Sequence, residues 1–159
     1  MNYEQLQIQH NNLNIQEMRL SGVDGLKGLY IDGNIAIEKK MTTTEKACVL
    51  AEELGHHFTS TGNILDLSDV RNRKQELRAR LWAYQKAFDL NDLISAYKHG
   101  CRNRYEIAEY LDITESFLDD AIEAYKRKYG FCTTLDKYII YFEPLGILEL
   151  YDETSIMEG

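Results

Sequence analysis

Residues 50 to 57, LAEELGHH, put two carboxylates and two imidazoles into six consecutive positions. On a helix Glu52 and His56 are one turn apart and share a face, so both side-chain heads reach one ion. The spacing is that of the zinc-peptidase pattern H-E-x-x-H with glutamate in the first histidine position. In that pattern the first and last residues are ligands, and the residue after the first, here Glu53, takes a proton from the attacking water. A third ligand must come from another segment, leaving a fourth position open. Glu76, on a helix running back antiparallel, is one candidate; Asp66 and Asp69, nearer in sequence, are its rivals. Gly55 lets another backbone approach closely. A short E-E-x-x-H string also suits an ordinary solvated helix face.

His57 has three readings. Paired with Glu53, also i, i+4, it would be a substitute ligand; that register puts Leu54 where the base belongs and gives binding without hydrolysis. As an accessory group it would donate a hydrogen bond near the cleft in the transition state. As an ordinary residue it is a surface or half-buried histidine.

The elements that must position these groups are legible nearby. Thr42-Thr43-Thr44-Glu45 is a capping-box signature with Thr42 as N-cap and Glu45 at N3. From there Ala47, Leu50, Ala51, Leu54 and Phe58 keep helical spacing and form the expected buried stripe. Helix propensity falls away after Phe58. Before this helix, GLYIDGNIAIE (28–38) reads as two short strands around Asp32-Gly33, a hairpin turn whose residues tolerate positive φ. A two-stranded hairpin is marginal alone and must pack on the helix. Residues 3–20 read as a loose helix or extended lead-in.

Downstream, a second long helix is expected from about Asp69 to Ala87, with Leu77, Leu81, Tyr84 and Phe88 on one face. Shorter helices follow at 91–98 and 105–113. Thr114 then caps a helix over 115–130 that ends in a Lys/Arg-rich turn and Gly130. YIIYFEPLGILELY (138–151) reads as one or two closing strands. The helical pair at 105–130 has a helix-turn-helix rhythm. The early exposed positions of its second helix, Glu115, Asp119, Asp120 and Glu123, are acidic and unsuited to phosphate oxygens, so direct nucleic-acid binding is not expected.

The 159 residues suit one compact domain, or a small domain with an appendage. A net charge of −8 also argues against non-specific nucleic-acid binding by the whole chain. The charge is uneven: RNRKQELRAR (71–80) is strongly basic, and the tail from Glu143 is acidic. Cys48, Cys101 and Cys132 are odd in number and never paired as C-x-x-C, which points to reduced thiols in a cytoplasmic setting. No apolar run is long enough for a membrane span, and no secretion signal opens the chain.

LYIDGNIAIEKKMTTTEKACVLAEELGHHFTSTGNIL followed by KQELRARLWAYQKAF resembles the ImmA/IrrE family of metallopeptidases. The likeness spans about residues 25–130 and includes the hairpin, the L-A-x-E-L-G-H core and a later E-x-x-A-x-x-x-A segment beginning at Glu76. It implies zinc held at Glu52, His56 and Glu76, with Glu53 as general base. It also implies a helix-turn-helix repressor from a phage or mobile element as the protein cleaved or inactivated. The departure is Glu52, where the family most often has histidine. A Glu-His-Glu set brings two negative charges to the ion, acidifies the attacking water less and makes Mn²⁺ or another divalent ion more competitive with zinc.

The expectation is therefore a mainly α fold with a small β-sheet, a compact zincin-like peptidase core over 1–100. A helical module at 101–130 and C-terminal strands with an acidic tail at 131–159 complete it. The expected activity is that of a metal-dependent endopeptidase or antirepressor. The alternatives are a non-catalytic protein that sequesters a repressor and, further off, a DNA-binding regulator.

Overall fold

The computed structural model describes residues 1–20, 25–60 and 70–151, with backbone only at 70–72. Asp66 and Asp69, the rival third ligands, lie outside the described residues. Among those described, the chain is mainly helical, with six helices and two three-stranded sheets. Contacts divide it into two compact units. The first is Met1–Ala87 with Asp112–Thr114; the second is Phe88–Leu111 with the chain from Glu115 onward.

In the first unit, α1 (Tyr3–Gln9) leads into β1 (Asn14–Met18), and β2 (Gly28–Ile31) turns into β3 (Asn34–Glu38). The hairpin turn is the expected one: Asp32 and Gly33 have φ of 48° and 81°. Ile31 pairs with Asn34 across it. The segment 3–20 is thus neither one loose helix nor wholly extended; it splits at His10 into a helix and a strand. β1 pairs in parallel with β3, Ile15 opposite Ile35, giving the sheet order β1-β3-β2. The central strand buries Ile35 and Ile37 against α2 (Thr43–Thr59). They meet Ala47, Leu50 and Leu54 of α2, together with Tyr3 and Leu6 of α1. Each such leucine or isoleucine, fully removed from water, contributes about 1.5–3 kcal/mol, so this layer holds helix and hairpin together.

The N-terminus of α2 is capped as its sequence predicts, with Thr42 Oγ1 accepting from Glu45 N at 3.1 Å. The buried stripe stops earlier than expected. Phe58 is 51% exposed, and the buried residues of α2 end with Leu54, Gly55 and His56. α3 (Val70–Ala87) departs from expectation more clearly. Leu77 is 57% exposed and Leu81 half-buried, while Ala79 and Ala83 are fully buried with Tyr84. The reason is steric: α3 packs tightly on α2 through small residues, and a Cβ added at Gly55 would overlap the Ala79 carbonyl. A leucine ridge does not fit so narrow a separation.

The second unit contains α4 (Leu90–His99), α5 (Arg104–Leu111), α6 (Glu115–Tyr129) and a second sheet. The sheet is an antiparallel meander of β4 (Cys132–Leu135), β5 (Tyr138–Phe142) and β6 (Leu145–Glu149). β4 is an additional strand before the one or two expected. α5 buries Ile107, Ala108 and Leu111, and α6 buries Phe117, Leu118, Ala121, Ile122 and Tyr125 at helical spacing. Arg104 pairs with two of the early acids of α6, Asp119 at 3.0 Å and Glu115 at 3.8 Å. Cys48 and Cys101 are buried free thiols, as their apolar neighbours suggest.

Candidate active site

α2 carries the site on two adjoining faces. One face turns to α3: His56 Nε2 lies 3.1 Å from Glu76 Oε2. The other oxygen of Glu76 is 3.3 Å from Arg80 Nε, one turn further along α3. Gly55 makes this possible, because the two backbones approach at the position beside His56. Glu76, the third-ligand candidate that lies among the described residues, is thus brought to the motif.

Glu53, a neighbour on the next face, turns under β2. A Cβ added at Gly28 would lie 2.8 Å from Glu53 Oε1 and 2.5 Å from Val49 Cγ1. The strand thus leaves a space only glycine provides, and the carboxylate fills it. Burial, opposed by the nearby His56 charge and reinforced by Glu52 and Glu76, pushes the Glu53 carboxyl up to about 7. Desolvation and like charge both disfavour its ionised form.

Tyr30, on the same side of β2 as Gly28, reaches the next residue of that helix face: its hydroxyl is 2.9 Å from His57 Nδ1. The rings of His57 and Phe58 then meet edge to face at 4.8 Å, and Phe58 stacks on Trp82 at 5.1 Å. Neither Tyr30 nor this aromatic chain was among the sequence candidates. Strand alternation from Gly28 to Tyr30 over a helical i, i+4 pair, Glu53 and His57, was the signal that could have found Tyr30.

Burial would lower the His56 pKa, but the hydrogen bond and charge of Glu76, with Glu53 and Glu52 behind it, raise it overall. Glu76 is held below the usual carboxylate range, chiefly by His56, against its own burial and with help from Arg80. The raised histidine contributes stability that is complete below its unfolded value of 6.5 and is lost as pH rises through its folded value. The depressed glutamate contributes above 4.5 and loses its contribution as pH falls through its folded value. The ion pair is therefore fully effective between about pH 4.5 and 6.5. Metal-free protein is expected to melt several degrees lower at about pH 8.5 than at about pH 6, and His56→Gln to reduce that dependence to the part that Glu53 contributes. Thermal melts in matched buffers check this; an unchanged slope in the variant would contradict the pairing.

His56 and Glu76 have the donor chemistry of two corners of a zinc site, imidazole nitrogen and carboxylate oxygen facing each other. Among the described residues the buried Nδ1 of His56 has no hydrogen-bond partner, whereas a ligating histidine usually anchors its second nitrogen. Glu52 stands one turn before His56, and its charge acts on both His56 and Glu53. Among the described residues no three His, Cys, Asp or Glu side chains are gathered as a ready-made metal group. The fit is thus to a two-donor pair that a third side chain must join.

Comparison with known protein families matches residues 4–123 to a peptidase family described as the IrrE N-terminal-like domain. The chain belongs to that family. The matched segment contains both helices of the site and runs into α6, which supports the ImmA/IrrE likeness read from the hairpin and the LAEELGHH motif. Searches of curated proteins and of solved structures find no match. Membership makes this a metallopeptidase-like or ImmA/IrrE-type regulatory protein. Among the described residues no helix is long and apolar enough to cross a membrane.

Proposed function

We propose that the protein is a metal-dependent endopeptidase of the cytoplasm that cleaves or inactivates a helix-turn-helix repressor of a phage or mobile element. The observation that carries this reading is the His56–Glu76 approach at 3.1 Å with Glu53 half-buried beside it. Two ligand-type groups and a desolvated base are parts that metal-assisted hydrolysis of a peptide bond uses, and Glu52 would be the third donor.

His56, Glu76 and Glu52 would hold the ion, zinc or another divalent metal such as Mn²⁺. When bound, that ion polarises the scissile carbonyl and lowers the pKa of water. Glu53 accepts the proton of the attacking water, since a carboxyl raised to about 7 is well matched to a proton transfer near neutral pH. The same carboxyl then returns the proton to the leaving amine. Arg80 fixes Glu76 from the far side, so Glu76 keeps its orientation when His56 changes partner. β2 closes over Glu53 and limits its contact with bulk water. A glutamate at position 52 in place of histidine makes the site less selective for zinc.

The test is metal titration followed by incubation with candidate repressors. Near-stoichiometric zinc or manganese binding is expected, reduced at least about tenfold in His56→Ala and in Glu76→Ala. Repressor fragments are expected with wild type and not with either variant. Metal content untouched by Glu76→Ala would remove it from the ligand set. Repressor binding without fragments would replace hydrolysis by sequestration.

A further inference from the structure

The solvent face of α3 carries Arg73, Lys74, Leu77, Arg78 and Arg80, all exposed, on a chain whose net charge is −8. Arg80 is occupied by Glu76. Arg73, Lys74 and Arg78 form no ion pair among the described residues. Lys74 and Arg78 are i, i+4, an arrangement that costs a helix about 0.2–0.5 kcal/mol instead of supporting it. Folding alone would favour acids interleaved at these positions. Leu77, 57% exposed, stands between the cations at i+4 from Arg73 and i+3 from Lys74. The cationic arc continues directly from Glu76, so one edge of this face is the site itself.

We propose that this face docks an acidic peptide segment of the protein substrate, its carboxylates on Arg73, Lys74 and Arg78 and an apolar side chain on Leu77. Charge complementarity identifies the partner. Three cations with no ion pair among the described residues attract carboxylates, and a leucine among them rewards a side chain of similar size. Nucleic acid fits less well, because an apolar residue in the middle of the patch offers nothing to phosphates, and the rest of the chain repels them. Docking here rests on the proposed peptidase reading only for its purpose; the surface itself needs neither metal nor hydrolysis. It would recruit a substrate by composition at some distance from the scissile bond and deliver it beside Glu76.

The experiment uses the full chain freed of metal, so that the absence of catalysis cannot disguise the result. Labelled peptides of about twelve residues alternating Glu with Leu, Gln with Leu and Lys with Leu, and a single-stranded DNA of like length, are titrated by fluorescence anisotropy. The Glu/Leu peptide is expected to bind at least about tenfold more tightly than the other two peptides and the DNA, and to weaken about tenfold between about 0.05 M and 0.3 M salt. Arg73→Glu/Lys74→Glu/Arg78→Glu is expected to abolish that preference with an unchanged melting temperature, because these side chains are exposed. Leu77→Ser should weaken the Glu/Leu peptide about threefold while keeping its salt dependence. Equal binding of Glu/Leu and Gln/Leu peptides, or a charge-reversed variant that still prefers Glu/Leu, would overturn the proposal. Tighter binding of the DNA through the same cations would overturn it in favour of a nucleic-acid surface. Metal binding and repressor cleavage that survive in a protein failing this test would leave the peptidase reading standing alone.

Discussion

Glu53→Gln is expected to slow peptide hydrolysis severely and, at the same time, to make the metal-free protein more stable at alkaline pH. The two effects share one cause. The carboxyl sits in the space beneath Gly28, and burial raises its pKa from 4.5 to about 7. Between those values the folded chain holds a proton that the unfolded chain has released, so stability falls as pH rises through that window. Above it, the folded state bears a poorly solvated charge whose full cost is roughly 3 kcal/mol. Allowing for partial solvation, an uncharged glutamine of the same shape should recover about 2 kcal/mol, or about 4–8 °C in a protein of this size. At about pH 4.5 both proteins hold a neutral side chain here, and the difference should vanish. Hydrolysis should fall about 10²–10⁴-fold, the usual contribution of a general base. Calorimetry at the two pH values with a cleavage assay reads both effects. A glutamine variant no more stable than wild type at high pH would show that the Glu53 carboxylate is well solvated.

Gly55→Ala should produce the largest loss of stability from a single added methyl group. The new Cβ would overlap the backbone carbonyl of Ala79, and backbone cannot rotate aside as a flexible side chain does. α2 and α3 must move apart, which for an overpacked, buried contact costs about 3 kcal/mol or slightly more and lowers the melting temperature by about 6–12 °C. Separation of the helices also stretches His56 from Glu76, now 3.1 Å apart. Metal affinity should therefore fall along with stability, although neither proposed ligand is altered. Melting and metal titration of the variant check this together; a variant melting within about 1 °C of wild type would mean that the helices are not so closely packed.

These two predictions start from neighbouring motif residues and differ in how far the sequence alone could take them. Glu53 is proposed as base from its position after Glu52, because the roles in H-E-x-x-H are set by helical periodicity. Its raised pKa does not follow, because burial depends on β2 covering it. Gly55 invites the idea of a close approach, but nothing local says that Ala79 is the partner.

Local chemistry determined several features without help. Thr42 caps α2, Asp32-Gly33 turns the hairpin, and the helical stretches from Leu90 to Tyr129 bury the stripes their periodicity marks. Glu52 and His56 share a helix face by their spacing. Each of these depends on residues within about one helical turn or one hairpin, where propensity and hydrogen bonding act directly. The tertiary structure decided what depends on partners distant in the chain. β1 joined β3 in parallel, and small residues lined the α2–α3 contact while Phe58 and Leu77 turned outward. Tyr30 was brought to His57, and Glu76 to His56. A leucine is apolar wherever it stands; only the separation of two helices decides whether there is room for it or for an alanine.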